Sequence, residues 1–190
     1  MKDTKLLIEH LKTRRSVYPV SYIPKPISKE VLVELLECAD QAPNHKMTEP
    51  WRFSIFRDQG LAKLANQLTK IYKDSTPENV FLQKKSDAIR EKVLRSGAVV
   101  AICLHESGKV PRWEEVAAVA SAVQNLSLAA AAYGIGSYWS TPQLIQELRP
   151  FLDLAENESC IGLFYMGYHV EEPRYGNRSS LEEKLTWIDY

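Results

Sequence analysis

The chain has 190 residues, with 24 Lys plus Arg balanced by 24 Asp plus Glu, so its formal net charge is zero. That length suits one domain with a substantial core, and the charge balance offers no global field for nucleic acid or an acidic membrane, so any anion site must be local. Cys38, Cys103 and Cys160 are odd in number, far apart and set in apolar surroundings, a pattern that predicts reduced, buried thiols rather than a disulfide frame or a metal cluster.

The N-terminal stretch MKDTKLLIEHLK mixes charged and apolar residues without the continuous apolar run of a signal peptide, which predicts a cytoplasmic protein. Thr4 to Thr13 reads as a short amphipathic helix through Leu6, Leu7 and Leu11, and it delivers Arg14-Arg15-Ser16 to its C-terminal end. Two readings of that triplet stand side by side. The arginines complement the negative pole of the helix, or they form an anion site with the Ser16 hydroxyl. In the second case guanidinium forks must supply the donors, because a helix C-terminus has the wrong polarity for an anion. Pro19, Pro24 and Pro26 keep Val17 to Ile27 extended or turning. Ser28 then caps a helix from Lys29 to Asp40 with Val31, Leu32, Leu35 and Leu36 on its buried face. Ala42-Pro43 ends it, a polar loop from Asn44 to Pro50 carries His45, and Trp51 to Phe56 alternates as a strand. A loop histidine by itself is more simply solvated than functional.

Gly60 to Lys73 and Phe81 to Arg95 read as surface helices separated by a turn at Pro77, and they are the natural place for an excursion over a pocket. AVVAICL, Ala98 to Leu104, is a fully buried strand. Pro111 opens the helix on which the rest is organised, from Glu115 to Tyr133. Val116, Val119, Val123, Leu126, Ala130 and Tyr133 recur at spacings of three and four, and alanines fill the other faces. A helix apolar all round is buried on all sides. Its apolar run approaches the length of a membrane span, yet Ser121, Gln124, Asn125 and Ser127 interrupt it and Glu114 and Glu115 sit at its mouth. It is a core helix. Gly134 ends it as a C-cap. The Gly134-Ile135-Gly136 spacing is no dinucleotide fingerprint, since that motif leads from strand to helix and here a helix leads into a strand. Thr141 caps a further helix that starts at Pro142 and continues through Leu144, Ile145 and Leu148, and Cys160 to Tyr168 forms another strand. The last twenty residues, ending LEEKLTWIDY, are too apolar to hang free and should pack on a second subunit.

The chain lacks a nucleophile elbow, a P-loop, a metal-spaced His/Cys cluster and a close pair of catalytic carboxylates. No side chain is assigned a catalytic role. If the protein is an enzyme, a cofactor carries the hard step, and the candidates for holding one are Arg14-Arg15-Ser16, the His45 loop and Trp139-Ser140-Thr141.

Five segments make that choice specific: RRSV at Arg14–Val17, APNHKMTEPWRF at Ala42–Phe53, VPRWEE at Val110–Glu115, YGIGSYWS at Tyr133–Ser140 and NRSSLEE at Asn177–Glu183. In this order and spacing the chain resembles the small FMN-dependent NAD(P)H reductases of the nitroreductase family over essentially its whole length, residues 1–190. The resemblance implies an α+β fold with a mixed central sheet flanked by helices. It also implies an intertwined homodimer with the Ala-rich helix at its core and the C-terminal segment exchanged to extend the partner's sheet. It places Arg14, Arg15 and Ser16 against flavin phosphate, ribityl and ring. Gln41 and His45 would reach the flavin of the partner subunit, Trp139, Ser140 and Thr141 would flank the flavin, and Arg178 would bind phosphate. Ala129 to Gly134 matches a segment tied to nicotinamide binding in relatives, although core packing explains those residues equally well. Three positions depart from the pattern: Tyr18 stands where many members have a basic residue, Ser140 where close relatives have an arginine, and Glu49 where Gln is usual. They bear on substrate preference more than on flavin binding.

The implied function is reduction of small nitroaromatics, quinones or similar oxidants by NADH or NADPH through FMN, with donor and oxidant taking turns. The alternatives are a flavin-dependent dehydrogenase of a dedicated biosynthetic step and a non-catalytic FMN-binding protein. No nucleic acid, membrane or metal ion enters any of these.

Overall fold

The computed structural model describes residues 2–189. Four strands, β1 (Trp51–Phe56), β2 (Ala98–His105), β3 (Ile135–Ser140) and β4 (Glu158–Tyr168), form one sheet in the order β1-β2-β4-β3. Every ladder in it is antiparallel. The expected mixed character reduces to one isolated parallel bridge, Ser16 to Ser137, on the outer edge of β3. Five helices surround the sheet: α1 (Lys2–Thr13), α2 (Lys29–Asp40), α3 (Gln59–Asp74), α4 (Gln83–Leu94) and α5 (Arg112–Ala132).

β2 shows why AVVAICL has no polar alternation. Ala98, Val100, Ile102 and Leu104 point into a core shared with α2 and α5. Val99, Ala101 and Cys103 point into a second core built by α3, Val93 of α4 and the turn at Ile145–Leu148. Side chains of a strand alternate between faces, and here both faces are covered. Helices on both sides of the sheet are as expected, and α3 is more than a surface helix, since Leu61, Leu64, Leu68 and Ile71 are buried in that second core.

α2 and β1 fall where the spacing puts them, and the Ser28 hydroxyl accepts the Val31 N–H at 3.3 Å. Gly134, at φ +67°, takes the left-handed turn that ends α5. Other expectations need correction. The helix expected from Thr141 is only a 3₁₀ turn, Ile145–Leu148. Its bonds run to the third residue back, Ile145 N–H to the Pro142 carbonyl and Arg149 N–H to that of Gln146. The prolines at 142 and 150 leave a segment too short to propagate an α-helix. Thr141 caps nothing, because its hydroxyl donates to the Ile161 carbonyl at 3.4 Å. Cys38 is exposed, unlike Cys103 and Cys160, and all three thiols are free.

The central helix is enclosed on one side only. Ala118, Val119, Ala122, Val123, Leu126 and Ala130 are buried, whereas Ala117, Ala120 and Gln124 are exposed. α2 and the sheet cover one stripe and His10 of α1 reaches the Leu128 carbonyl, whereas Ala117, Ala120 and Gln124 stay uncovered among the described residues. α5 is long and apolar enough to cross a membrane by length and composition, but its buried stripe belongs to the core with β2 and β4. The C-terminal residues tell the same story. Past Tyr168 no strand forms among the described residues, and Val170, Leu181, Trp187 and Ile188 are exposed.

Candidate functional site

The site begins where α1 stops. Val17 N–H donates to the Ser137 carbonyl at 3.1 Å, so the chain leaving α1 is pinned along the outer edge of β3. The two arginines then part company. Arg15 folds back and donates to the Lys12 carbonyl at 2.6 Å and to the Arg14 carbonyl, satisfying the open end of α1. Gly176 of the returning C-terminal segment lies against it, and a Cβ there would stand 2.9 Å from the Arg15 Cζ and Nε. The Arg15 Nε is buried with no hydrogen-bond partner among the described residues.

Arg14 points elsewhere. It lines a cavity of about 270 Å³ with Thr13, Ser137, His169, Glu171 and Arg174, and Arg15 lines the same cavity while its donors turn back to α1. Partial burial, with Arg15 and then Arg178 nearby, holds the Arg14 guanidinium below its usual pKa. None of the ion pairs among the described residues includes Arg14, Arg15 or Arg178. Glu171 and Glu172 also line the cavity, with Glu171 engaged by Arg174 at 3.6 Å. Arg14, Arg15 and Arg178 thus bring like charges near one another outside any ion pair among the described residues.

From Ile135 in this cavity's wall β3 runs to Ser140, about 17 Å at the usual strand rise. The Trp139 indole lies across Gly162 of β4, where a Cβ would fall 1.7 Å from its Nε1. That indole N–H is buried and unpartnered. On the opposite face of β3, the Ser140 hydroxyl accepts from Lys92 Nζ at 3.1 Å. Tyr18 packs on Tyr138 with ring centroids 4.8 Å apart, and Tyr138 stacks on Tyr165 at 5.4 Å.

Gln41 and His45 lie away from both places. Gln41 is the C-cap residue of α2, and His45 Nδ1 pairs with Glu114 Oε2 at 2.6 Å at the N-terminal end of α5. The other end of α5 lines the Arg14 cavity through Ala131. Glu114 and Ala131 lie on the same helix, separated along it by about 26 Å. Within one chain His45 and Arg14 cannot grip the same small molecule. The His45 loop is strained: Lys46, Met47 and Glu49 all take positive φ, at 52°, 50° and 42°.

The structure thus gathers Arg14, Arg15, Ser16 and Arg178, sets Trp139, Ser140 and Thr141 at the far end of the same strand, and leaves Gln41 and His45 apart. Two contacts here have no signal in the sequence, Gly176 against Arg15 and Lys92 against Ser140. The glycine sits in a tail without periodicity, and the lysine sits on a helix whose charges look merely solvated.

A four-stranded antiparallel sheet with helices on both faces and an arginine cluster at its edge defines an α+β protein of one central sheet. The profile of the Nitroreductase family matches residues 11–168, and the chain belongs to that family. It is 28% identical to the Bacillus subtilis protein YfhC, named as an NAD(P)H nitroreductase, over 95% of this chain and 93% of that one. The crystal structure of a nitroreductase-like family protein from Bacillus cereus superposes with a TM-score of 0.84 at 27% identity, covering 96% of each chain. The FMN-dependent nitroreductase NfnB from Mycobacterium smegmatis, solved with NADPH, shares the fold at a TM-score of 0.77 and 17% identity, over 98% of this chain and 99% of that one.

Proposed function

We propose that the protein is an FMN-dependent NAD(P)H oxidoreductase that reduces small nitroaromatics, quinones or similar oxidants. The observation that carries this reading is the unpaired guanidinium cluster of Arg14, Arg15 and Arg178 at one end of β3, with a buried, unpartnered indole N–H toward the other. Family membership and the names of the relatives support it. Arg14 and Arg178 hold the phosphate, Arg15 fixes the end of α1 beside it, and the Ser16 hydroxyl adds a donor. Trp139, Ser140 and Thr141 flank the ring. Bound FMN supplies the redox chemistry, taking electrons from the nicotinamide and passing them to the oxidant.

The functional unit in this reading is a homodimer. The uncovered stripe of α5 at Ala117, Ala120 and Gln124 meets its counterpart, and the apolar tail through Trp187 and Ile188 crosses to the partner. β1, an outer strand of the sheet, offers an edge for that tail. Gln41 and His45 then serve the partner's flavin, which reconciles their distance from Arg14. With one pocket serving both substrates, donor and oxidant bind in turn, so initial rates over a grid of NAD(P)H and quinone concentrations should give parallel double-reciprocal lines. Intersecting lines would require a separate nicotinamide site and overturn the shared pocket.

A further inference from the structure

α3 and α4 enclose a cavity of about 370 Å³ against β4 and the segment that follows β3. Leu68, Ile71, Tyr72 and Tyr165 are buried and form its floor, with Ile89 and Leu144 at the sides. Ser140 and Pro142 belong to the same wall, so the cavity reaches the end of β3 assigned above to the flavin ring. Its size suits one substituted aromatic ring, since a cavity of roughly 150 Å³ already holds benzene.

The charge around this space is one-sided. No Asp or Glu lines it, whereas two lysines do, Lys85 and Lys92. Lys92 donates to the Ser140 hydroxyl at 3.1 Å. Lys85 is exposed, and its Nζ lies 5.0 Å from the centroid of the Tyr72 ring. None of the ion pairs among the described residues includes it. The residues three and four positions away, Phe81, Leu82, Ala88 and Ile89, are all apolar, so the helix itself brings no carboxylate to Lys85. Asp87, two positions on, accepts from Gln83 at 2.8 Å. The ring beneath Lys85 is fixed in place: Tyr72 stacks on Phe81 with centroids 5.3 Å apart, and its hydroxyl accepts the Leu82 N–H at 3.2 Å. An apolar slot for one ring, with an unclaimed ammonium and no opposing carboxylate, matches an aromatic anion.

We propose that the oxidant is a small aromatic carboxylate of the nitrobenzoate type, bound in the α3–α4 cavity with its carboxylate on Lys85 and its nitro group toward Ser140. The inference rests on the FMN reading given above and names the substrate class within it. Hydride from NAD(P)H, passed through the flavin, and one proton from water reduce the nitro group to nitroso, with one oxygen lost as water. Lys85 takes no part in that chemistry. It selects the ligand by charge, while Leu68, Ile71 and Ile89 receive the ring.

The test compares p-nitrobenzoate with p-nitrobenzamide, which has nearly the same shape and no charge, as oxidants for FMN-loaded wild type, Lys85→Met and Lys85→Arg. The quantity read is the ratio of kcat/KM for the carboxylate to kcat/KM for the amide. Lys85→Met should lower that ratio about fivefold, the worth of one partly exposed ion pair. The change should fall on KM for the carboxylate, with FMN content and the amide reaction as in wild type. Lys85→Arg should restore the ratio. An unchanged ratio in Lys85→Met, an equal loss for both compounds, or no reduction of either by flavin-loaded wild type overturns the proposal and leaves the FMN reading standing. A wild type that takes up no added FMN overturns the FMN reading, and the proposal with it.

Discussion

Arg14 and Arg15 are neighbours with different work. Arg15 spends its donors on the Lys12 and Arg14 carbonyls, so Arg15→Ala should act mainly on the fold. A half-buried charged hydrogen bond of this kind contributes about 1.5–3 kcal/mol, or roughly 3–12 °C in Tm for a chain of this size. Gly176→Ala should move the melting point in the same direction, since its Cβ would push on the guanidinium that Arg15 keeps in place. Arg14 has no such internal partner, and Arg14→Ala should leave the melting temperature of the flavin-free protein nearly unchanged. Its effect falls on FMN: losing one charged hydrogen bond of about 1.5–3 kcal/mol weakens binding by roughly ten- to a hundred-fold. Fluorescence titration with FMN and a thermal melt on each variant separate the two roles. Equal FMN affinity in Arg14→Ala and wild type would mean that both arginines only finish α1.

The elements differ in how far they could be read from residues alone. α2 was legible because Ser28 marks its start and Ala42-Pro43 its end, and β2 because seven apolar residues in a row suit a strand covered on both faces. The segment after Thr141 misled because a capping residue and a proline also precede a 3₁₀ turn, and Pro150 cuts the helix short. The division of labour between Arg14 and Arg15 was not legible, since it depends on Gly176 returning from the far end of the chain. The all-apolar pattern of α5 predicts enclosure all round, but alanines are silent about whether the neighbour is solvent or another helix. That ambiguity supplies a test. Ala120 is exposed in the single chain, so Ala120→Glu should cost less than about 0.5 kcal/mol if that face meets only water. If it lies in a dimer, a buried unpaired carboxylate should split the protein into monomers. Sedimentation of the variant beside wild type decides, and an unchanged sedimentation coefficient would remove α5 from any interface.

At the scale of the whole molecule, the two cores support a strand edge rather than a deep pocket. The arginine cluster sits at one end of β3 and the aromatic and lysine cluster at the other, while His45 lies at the start of α5 and Gln41 caps α2. Under the proposed function, one chain would carry two part-sites for different flavins, and the exposed tail ending at Trp187 and Ile188 would be the segment that locks two chains together. Removing residues from Asn177 onward takes away Arg178 and that apolar tail together. Such a truncation should lose both its flavin and its dimer, and a flavin-loaded, well-behaved truncated protein by light scattering would contradict the exchanged arrangement.

The central claim is that this chain binds FMN and reduces it with a nicotinamide. The visible absorption spectrum of the purified protein, recorded before and after anaerobic addition of NADH or NADPH, tests it most directly. The account predicts oxidised flavin bands that bleach on addition of the donor and return on admission of a quinone. A protein that shows no flavin bands even after incubation with FMN, or whose bound flavin is bleached by neither donor, would contradict it.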